Sequence, residues 1–158
     1  APLGRVRPIL EAFAAQVVHV GPVGAAHTLK LLNQMMFAII NAATAEILAL
    51  APRLGISPAL FYETIVGSGA ATVSGLFREL GQKIAEGDFS PVFSVDLLCK
   101  DTDLAVEMAR RAGGAAILTS TVQLLNHLAR ARGMSGQDSS ALVFVYRELG
   151  GSRGGRLE

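Results

Sequence analysis

Lys30, Asn33 and Gln34 stand at positions i, i+3 and i+4, so any helix that contains them puts all three on one face. They belong to the stretch Gly21-Pro-Val-Gly24-Ala-Ala-His-Thr-Leu-Lys30-Leu-Leu-Asn33-Gln34, which opens a long and very apolar segment. A lysine and two carboxamides buried on such a helix are costly unless they are paired or put to use. Their chemistry suggests a use. Burial lowers the proton affinity of a lysine amine, and an amine tuned toward neutrality can give or take a proton at a carbinol or carbonyl oxygen. Carboxamides hydrogen-bond a carboxylate or a hydroxyl without adding charge. The structural alternative is a lysine that snorkels to water near a helix start, although a cation there opposes the helix dipole.

A second set of residues lies in Phe93-Ser-Val-Asp-Leu-Leu-Cys-Lys100-Asp101-Thr-Asp-Leu-Ala105. Phe93 and Lys100 are two helical turns apart and share a face. Lys100 can reach an anion such as a carboxylate or phosphate. The alternative is a core phenylalanine beside a solvated Lys-Asp pair. Other signals carry less. Gly67-Ser-Gly69-Ala-Ala-Thr72 imitates a dinucleotide fingerprint but follows a helix instead of a strand. His19, His27 and His127 lack metal-ligand spacing, so no metal is expected. His27 falls one turn before Lys30 and reads as a helix-start surface histidine. No serine and histidine suggest a triad. Met35 and Met36 read as core packing.

The elements that must position these residues are helical almost throughout. Pro8 opens a short helix through residue 14. Residues 16–20, Gln-Val-Val-His-Val, are the one convincing strand candidate. A lone strand needs a sheet to join, and nothing downstream supplies one. Residues 25–50 contain neither glycine nor proline and predict a helix of about seven turns, ended before Pro52. Ser57-Pro58 reads as a cap and first helical residue, with the helix stopped by Gly67. Residues 70–77 and 78–85 predict two shorter helical pieces closed by Gly87. Further helices are expected over 94–111, over 119–132 with Gly133 beyond, and from the cap Asp138 to residue 149. Residues 150–158 read as a disordered Gly/Arg-rich tail. The fold class is therefore all-α, a bundle of six or seven helices around a long central helix, with a residual N-terminal strand.

The 158 residues suit one domain with a core. Hydrophobic residues make up 51% and charged residues 17%, an apolar excess that predicts a surface covered by a partner subunit or neighbouring domain. A net charge of +1 argues against nucleic acid as a partner. Cys99 is the single cysteine, which excludes an internal disulfide and fits a cytoplasmic protein. No signal peptide is read at the start. Residues 35–51 are short for a membrane span and carry Asn41 and Glu46, so they read as a buried central helix and no membrane partner is expected.

The two motifs together resemble the β-hydroxyacid dehydrogenases. That family includes 3-hydroxyisobutyrate dehydrogenase, tartronate semialdehyde reductase and, more distantly, 6-phosphogluconate dehydrogenase. The first stretch is similar to the family's Gly-x-x-Gly-x-x-x-x-x-Lys-x-x-Asn-Gln/Asn pattern, and the second to Phe-x-x-x-x-x-x-Lys-Asp-x-x-x-Ala. The likeness runs over residues 5–149; a third family glycine is replaced by Ala26. The resemblance implies that Lys30 is the catalytic general acid/base. It implies that Gly24, Asn33 and Gln34 bind substrate, and that Phe93, Lys100 and Asp101 approach the cofactor.

The same resemblance implies hydride transfer between NAD or NADP and a small 3-hydroxy acid or its semialdehyde. The cofactor would be held mainly by an N-terminal Rossmann domain that these residues do not contain. Residues 1–22 would then be the remnant of that domain and its junction, 23–149 the substrate and dimerisation domain, and 150–158 the tail. The chain alone would be inactive and would form a homodimer or higher homo-oligomer. Two rivals remain open. One is a non-catalytic helical oligomerisation or interaction module. The other is a divergent imine reductase-like relative, which usually replaces the lysine.

Overall fold

The structure is a computed structural model that describes residues 2–151. It contains seven α-helices and no strand among those residues. The chain divides into two compact units, Ala1–Lys30 and Leu31–Glu158.

In the first unit, α1 spans Pro2–Glu11 and Arg7 pairs with Glu11 one turn on, at 3.1 Å. Pro8 does not start this helix but lies inside it, where its missing N–H removes the bond to the Gly4 carbonyl. Residues 16–20 form no strand. Their β-branched content suits a strand, yet a strand exists only where a second segment pairs with its N–H and C=O groups. No such segment occurs among the described residues. The chain then turns through Gly21 and Gly24, both at positive φ (139° and 97°), into the first residues of α2, Ala25–Leu50.

The second unit begins within α2, whose bounds match the uninterrupted run of helix formers. A single 3-10 turn, Ala51–Leu54, follows and is closed by Gly55 at φ 81°. α3 (Pro58–Ser68) starts on the Ser57 cap, whose hydroxyl accepts from the Leu60 N–H at 3.1 Å. It ends at Gly69 instead of Gly67, because only Gly69 takes the left-handed conformation. α4 is one helix, Gly75–Glu86, not two pieces; Ser74 caps it through the Phe77 N–H, and residues 70–73 form a turn.

α5 (Val95–Arg111) begins on Ser94. α6 is Ile117–Ala129, starting two residues before the expected 119 and ending three before the expected 132. Its continuation, Arg130–Met134, is a widened turn broken at Gly133, φ 83°. Asp138 caps a 3-10 turn, Ser139–Ala141, that runs into α7, Leu142–Leu149. The expected disordered tail lies outside the described residues apart from Gly150 and Gly151, which form a turn.

The core of this unit joins Ala38, Ala42, Ala45 and Leu48 of α2 to Leu98 and Cys99 of α5, Val122 and Ala129 of α6, and Leu142, Val143 and Val145 of α7. Four alanines on α2 at spacings of four, three and four (38, 42, 45, 49) make a small-residue stripe against which larger side chains close. The buried Asn41 donates from Nδ2 to the Ser139 carbonyl at 3.0 Å, tying α2 to the turn before α7. By length and composition, Ala25–Leu54 could cross a membrane, with mean hydropathy 1.6. Core packing of the rear half accounts for part of that apolarity: 44% of the most apolar window is buried.

Candidate active site

Gly24 and Lys30 belong to the first unit. Gly24 sits at the entry of α2 with φ 97°, a conformation that a side chain would strain, and a Cβ there would meet open space. Its backbone is therefore approachable. Lys30 lies in the second turn of α2 and is exposed, not buried.

In the second unit, Asn33 is exposed and Gln34 half-buried. Gln34 donates from Nε2 to Asp101 Oδ2 at 2.6 Å. Asp101 sits two turns into α5 with a side chain only 4% exposed. Its neighbour Lys100 points outward, 62% exposed, with Nζ 3.9 Å from Asp101 Oδ1. One turn beyond Gln34, the Phe37 ring meets Phe93 edge-on, centroids 5.2 Å apart at 74°. Phe93 directly precedes the α5 cap Ser94. The Gln34–Phe37 face of α2 thus meets the Phe93–Asp101 segment at two places, one polar and one aromatic. Gln34, Phe93, Lys100 and Asp101 are brought together.

What the cluster can do follows from its groups. An exposed ammonium and an exposed carboxamide, Lys100 and Asn33, can donate to a carboxylate or phosphate. A half-buried phenyl ring offers a flat apolar surface to another ring. Asp101 orients the Gln34 amide and thereby fixes which way its carbonyl oxygen faces. This donor set fits an anionic or carboxamide-bearing small molecule.

Two groups that might have competed for proton chemistry do not fit it. Burial pushes the Cys99 thiol up to about 11. Burial, with the Glu46 carboxylate beside it, pushes Tyr146 up to about 12. Both are held in their protonated forms at neutral pH. Among the described residues no three His, Cys, Asp or Glu side chains are grouped to hold a metal ion. An apolar cavity of about 590 Å³ between α2, α3 and α4, lined by Ile40, Ile47, Phe61, Ile65 and Phe77 among others, shares no lining residue with the cluster.

Spacing located both motifs but missed that Gln34 and Asp101, 67 residues apart, are hydrogen-bonded. It also missed the backbone clamp on Phe93. The Asp138 carboxylate accepts from the N–H groups of Val92 and Phe93. Asp138 was legible only as a helix cap. Met36, read as core, is 62% exposed.

Comparison with known proteins places this geometry in context. Residues 24–146 match the family described as NAD-binding of NADP-dependent 3-hydroxyisobutyrate dehydrogenase. An uncharacterised oxidoreductase of Synechocystis sp. is 37% identical over 146 residues, covering 89% of this chain and 47% of the relative. L-threonate dehydrogenase of Escherichia coli K12 is 31% identical over 143 residues, covering 90% of this chain and 47% of the relative. The crystal structure of 3-hydroxyisobutyrate dehydrogenase from Salmonella typhimurium superposes with a TM-score of 0.83 at 30% identity, covering 90% of this chain and 50% of that one. The chain spans about half the length of the curated relatives it matches.

Proposed function

The chain belongs to the 3-hydroxyisobutyrate dehydrogenase family, and on that premise we propose that it is the helical, substrate-facing half of an NAD(P)-dependent dehydrogenase. The substrates would be small 3-hydroxy acids or their semialdehydes. The observation that carries the reading is the Gln34–Asp101 hydrogen bond, which joins the last residue of the first motif to the Lys-Asp pair of the second.

In this reading Lys30 is the general acid/base. During reduction its ammonium gives a proton to the carbonyl oxygen; during oxidation the amine takes the hydroxyl proton. Gly24 lets the substrate approach the backbone at the entry of α2. Asn33 and Gln34 hydrogen-bond the substrate carboxylate or hydroxyl, with Gln34 oriented by Asp101. Phe93 covers one face of the reacting groups and helps exclude water, and Lys100 donates to an anionic oxygen of the cofactor or substrate. The nicotinamide, when bound, supplies or accepts the hydride.

Residues 1–22 are then the junction with a cofactor domain, and 23–149 the substrate and dimerisation domain. We expect the 158-residue chain by itself to show no turnover, since the phosphate cradle would lie in the cofactor domain. A homodimer in the cytoplasm completes the proposal. It is supported by the apolar cavity and by exposed Leu50, Leu54 and Leu60 near it in the chain.

The deciding experiment is NAD(P)-linked oxidation of a panel of small 3-hydroxy acids by the full-length protein, beside its Lys30→Ala variant. Turnover should fall at least about a hundredfold, the scale of a lost general acid/base. Retained turnover in the variant would remove Lys30 from the mechanism. A full-length protein inactive on every acid with either cofactor would overturn the dehydrogenase reading.

A further inference from the structure

The segment between α4 and α5 carries Phe93, and side chains from other elements hold it. Asp138, 2% exposed, stands just before the 3-10 turn that leads into α7. Its Oδ2 accepts from the Val92 N–H at 3.0 Å and the Phe93 N–H at 3.3 Å. Its Oδ1 accepts from the Ser140 N–H at 3.1 Å and the Ser140 hydroxyl at 2.7 Å. The Ser139 N–H donates to the Phe93 carbonyl at 2.8 Å, and the Asp138 N–H donates to the Phe89 carbonyl at 3.0 Å. Both backbone polar groups of Phe93 are therefore bonded to the pair Asp138 and Ser139. From α4, Lys83 Nζ lies 4.0 Å from Asp138 Oδ2 and donates to the Ser90 carbonyl at 2.8 Å.

Capping the turn needs only one carboxylate oxygen. A buried carboxylate is costly to keep, and a hydroxyl or carboxamide would serve as a cap. The second oxygen reaches back along the chain to Val92 and, 45 residues away, to Phe93, whose ring meets Phe37.

We propose that Asp138 is a positioning residue for the candidate active site: it fixes the backbone at Val92 and Phe93 and so sets where the Phe93 ring stands beside the substrate and cofactor. Lys83 balances its charge and holds the same segment at Ser90. This inference rests on the dehydrogenase reading above.

The test is a double-mutant cycle in the full-length enzyme, measuring kcat and KM separately. Asp138→Asn keeps the side-chain volume but can turn its new donor toward Ser140 and spare the Val92 and Phe93 N–H groups, so it is measured beside Asp138→Ala, which removes both acceptors. Asp138→Ala should lower kcat about tenfold, the effect of a misplaced group at a reacting centre. Phe93→Ala should lower kcat to a similar degree, and the double variant should fall no further than Phe93→Ala alone. Ser140→Ala, which disturbs only the Oδ1 side, should lower the thermal midpoint and leave kcat unchanged. Should Asp138→Ala fail to fold, Lys83→Gln leaves the carboxylate in place and enters the same cycle with Phe93→Ala.

Losses that multiply in the double variant would overturn the inference, as would a lower thermal midpoint with unchanged kcat in Asp138→Ala. Those outcomes leave the dehydrogenase reading standing. Absence of any NAD(P)-linked activity in the unmodified protein would overturn that reading, and this inference with it.

Discussion

In the rear half of α2, Ala38, Asn41, Ala42, Thr44, Ala45, Leu48 and Ala49 are buried; from Ala25 through Phe37 only Leu31 is. The front half leaves Leu29, Leu32 and Met36 exposed, at 56%, 49% and 62%. Both halves are predominantly apolar, but the front half holds both methionines and the rear half all three isoleucines and five of the seven alanines. The difference lies in what folds against them. The rear half meets α5, α6 and α7 through its alanine stripe, which lets other side chains close in. The front half carries larger residues and all the polar groups with assigned roles on this helix. A group that must reach a substrate cannot sit in the core, so the candidate site begins where core packing stops.

That contrast can be broken at its buried end first. Leu48→Ala, at a position 0% exposed, should cost about 2–5 kcal/mol of stability, a transfer loss plus a cavity. Urea unfolding of the chain measures it. A loss no larger than that of an exposed leucine would mean that the rear half is not core.

The junction between the halves comes next. Gln34→Leu removes one donor from the buried Asp101 carboxylate and should cost about 1–3 kcal/mol. Asp101→Leu combined with Gln34→Leu should recover part of that loss, since neither member of the pair is then left facing an apolar substitute. If the double variant is as unstable as the two losses summed, the pair is not coupled.

A pH titration sharpens the same boundary from α5. Cys99 packs in the core with the rear half of α2, and burial raises its thiol from 9.0 to about 11. A folded-state value above the unfolded one means that the folded chain holds the proton more tightly. The associated stability is complete below pH 9 and is lost as pH rises toward 11. Chemical unfolding at pH 8, 9, 10 and 11 should show the decline, and Cys99→Ala should remove that part of it. The smallest effect belongs to the exposed end: Leu32→Ala should change stability by no more than about 0.5 kcal/mol. A loss above about 2 kcal/mol, the scale of a buried leucine, would show that Leu32 is covered in solution.

Much of the fold was legible because its signals are local. Ser57 before Pro58 is a cap whose hydroxyl reaches the N–H group three residues on, and α3 starts where that residue predicts; α5 was expected over the right stretch, with Ser94 serving as its cap instead of its first residue. Gly87 ends α4 in the left-handed conformation, and Gly133 takes the same conformation where it breaks the turn after α6. The same locality explains the errors. Residues 70–74 looked helical by composition, and Ser74 as a cap was hidden among small residues. Residues 16–20 looked like a strand by side-chain type, but strand formation is a relation between two segments, and no second segment meets them among the described residues.

For the candidate site, the sequence by itself determined the chemistry on offer. Lys30, Asn33 and Gln34 follow one another at helical spacing, and Lys100 and Asp101 lie together on α5; Phe93, expected on one helical face with Lys100, stands outside that helix just before its cap. Helical spacing is a property of the backbone, so no tertiary contact was needed to read it. Only the tertiary structure decided which of these groups are covered and which meet. It buried Asp101, left Lys100 outside, turned Gln34 onto Asp101, and fastened the Phe93 backbone to Asp138. Burial and pairing depend on residues 67 and 45 positions apart coming into contact, and no short-range pattern in the chain records which distant segments will close on one another.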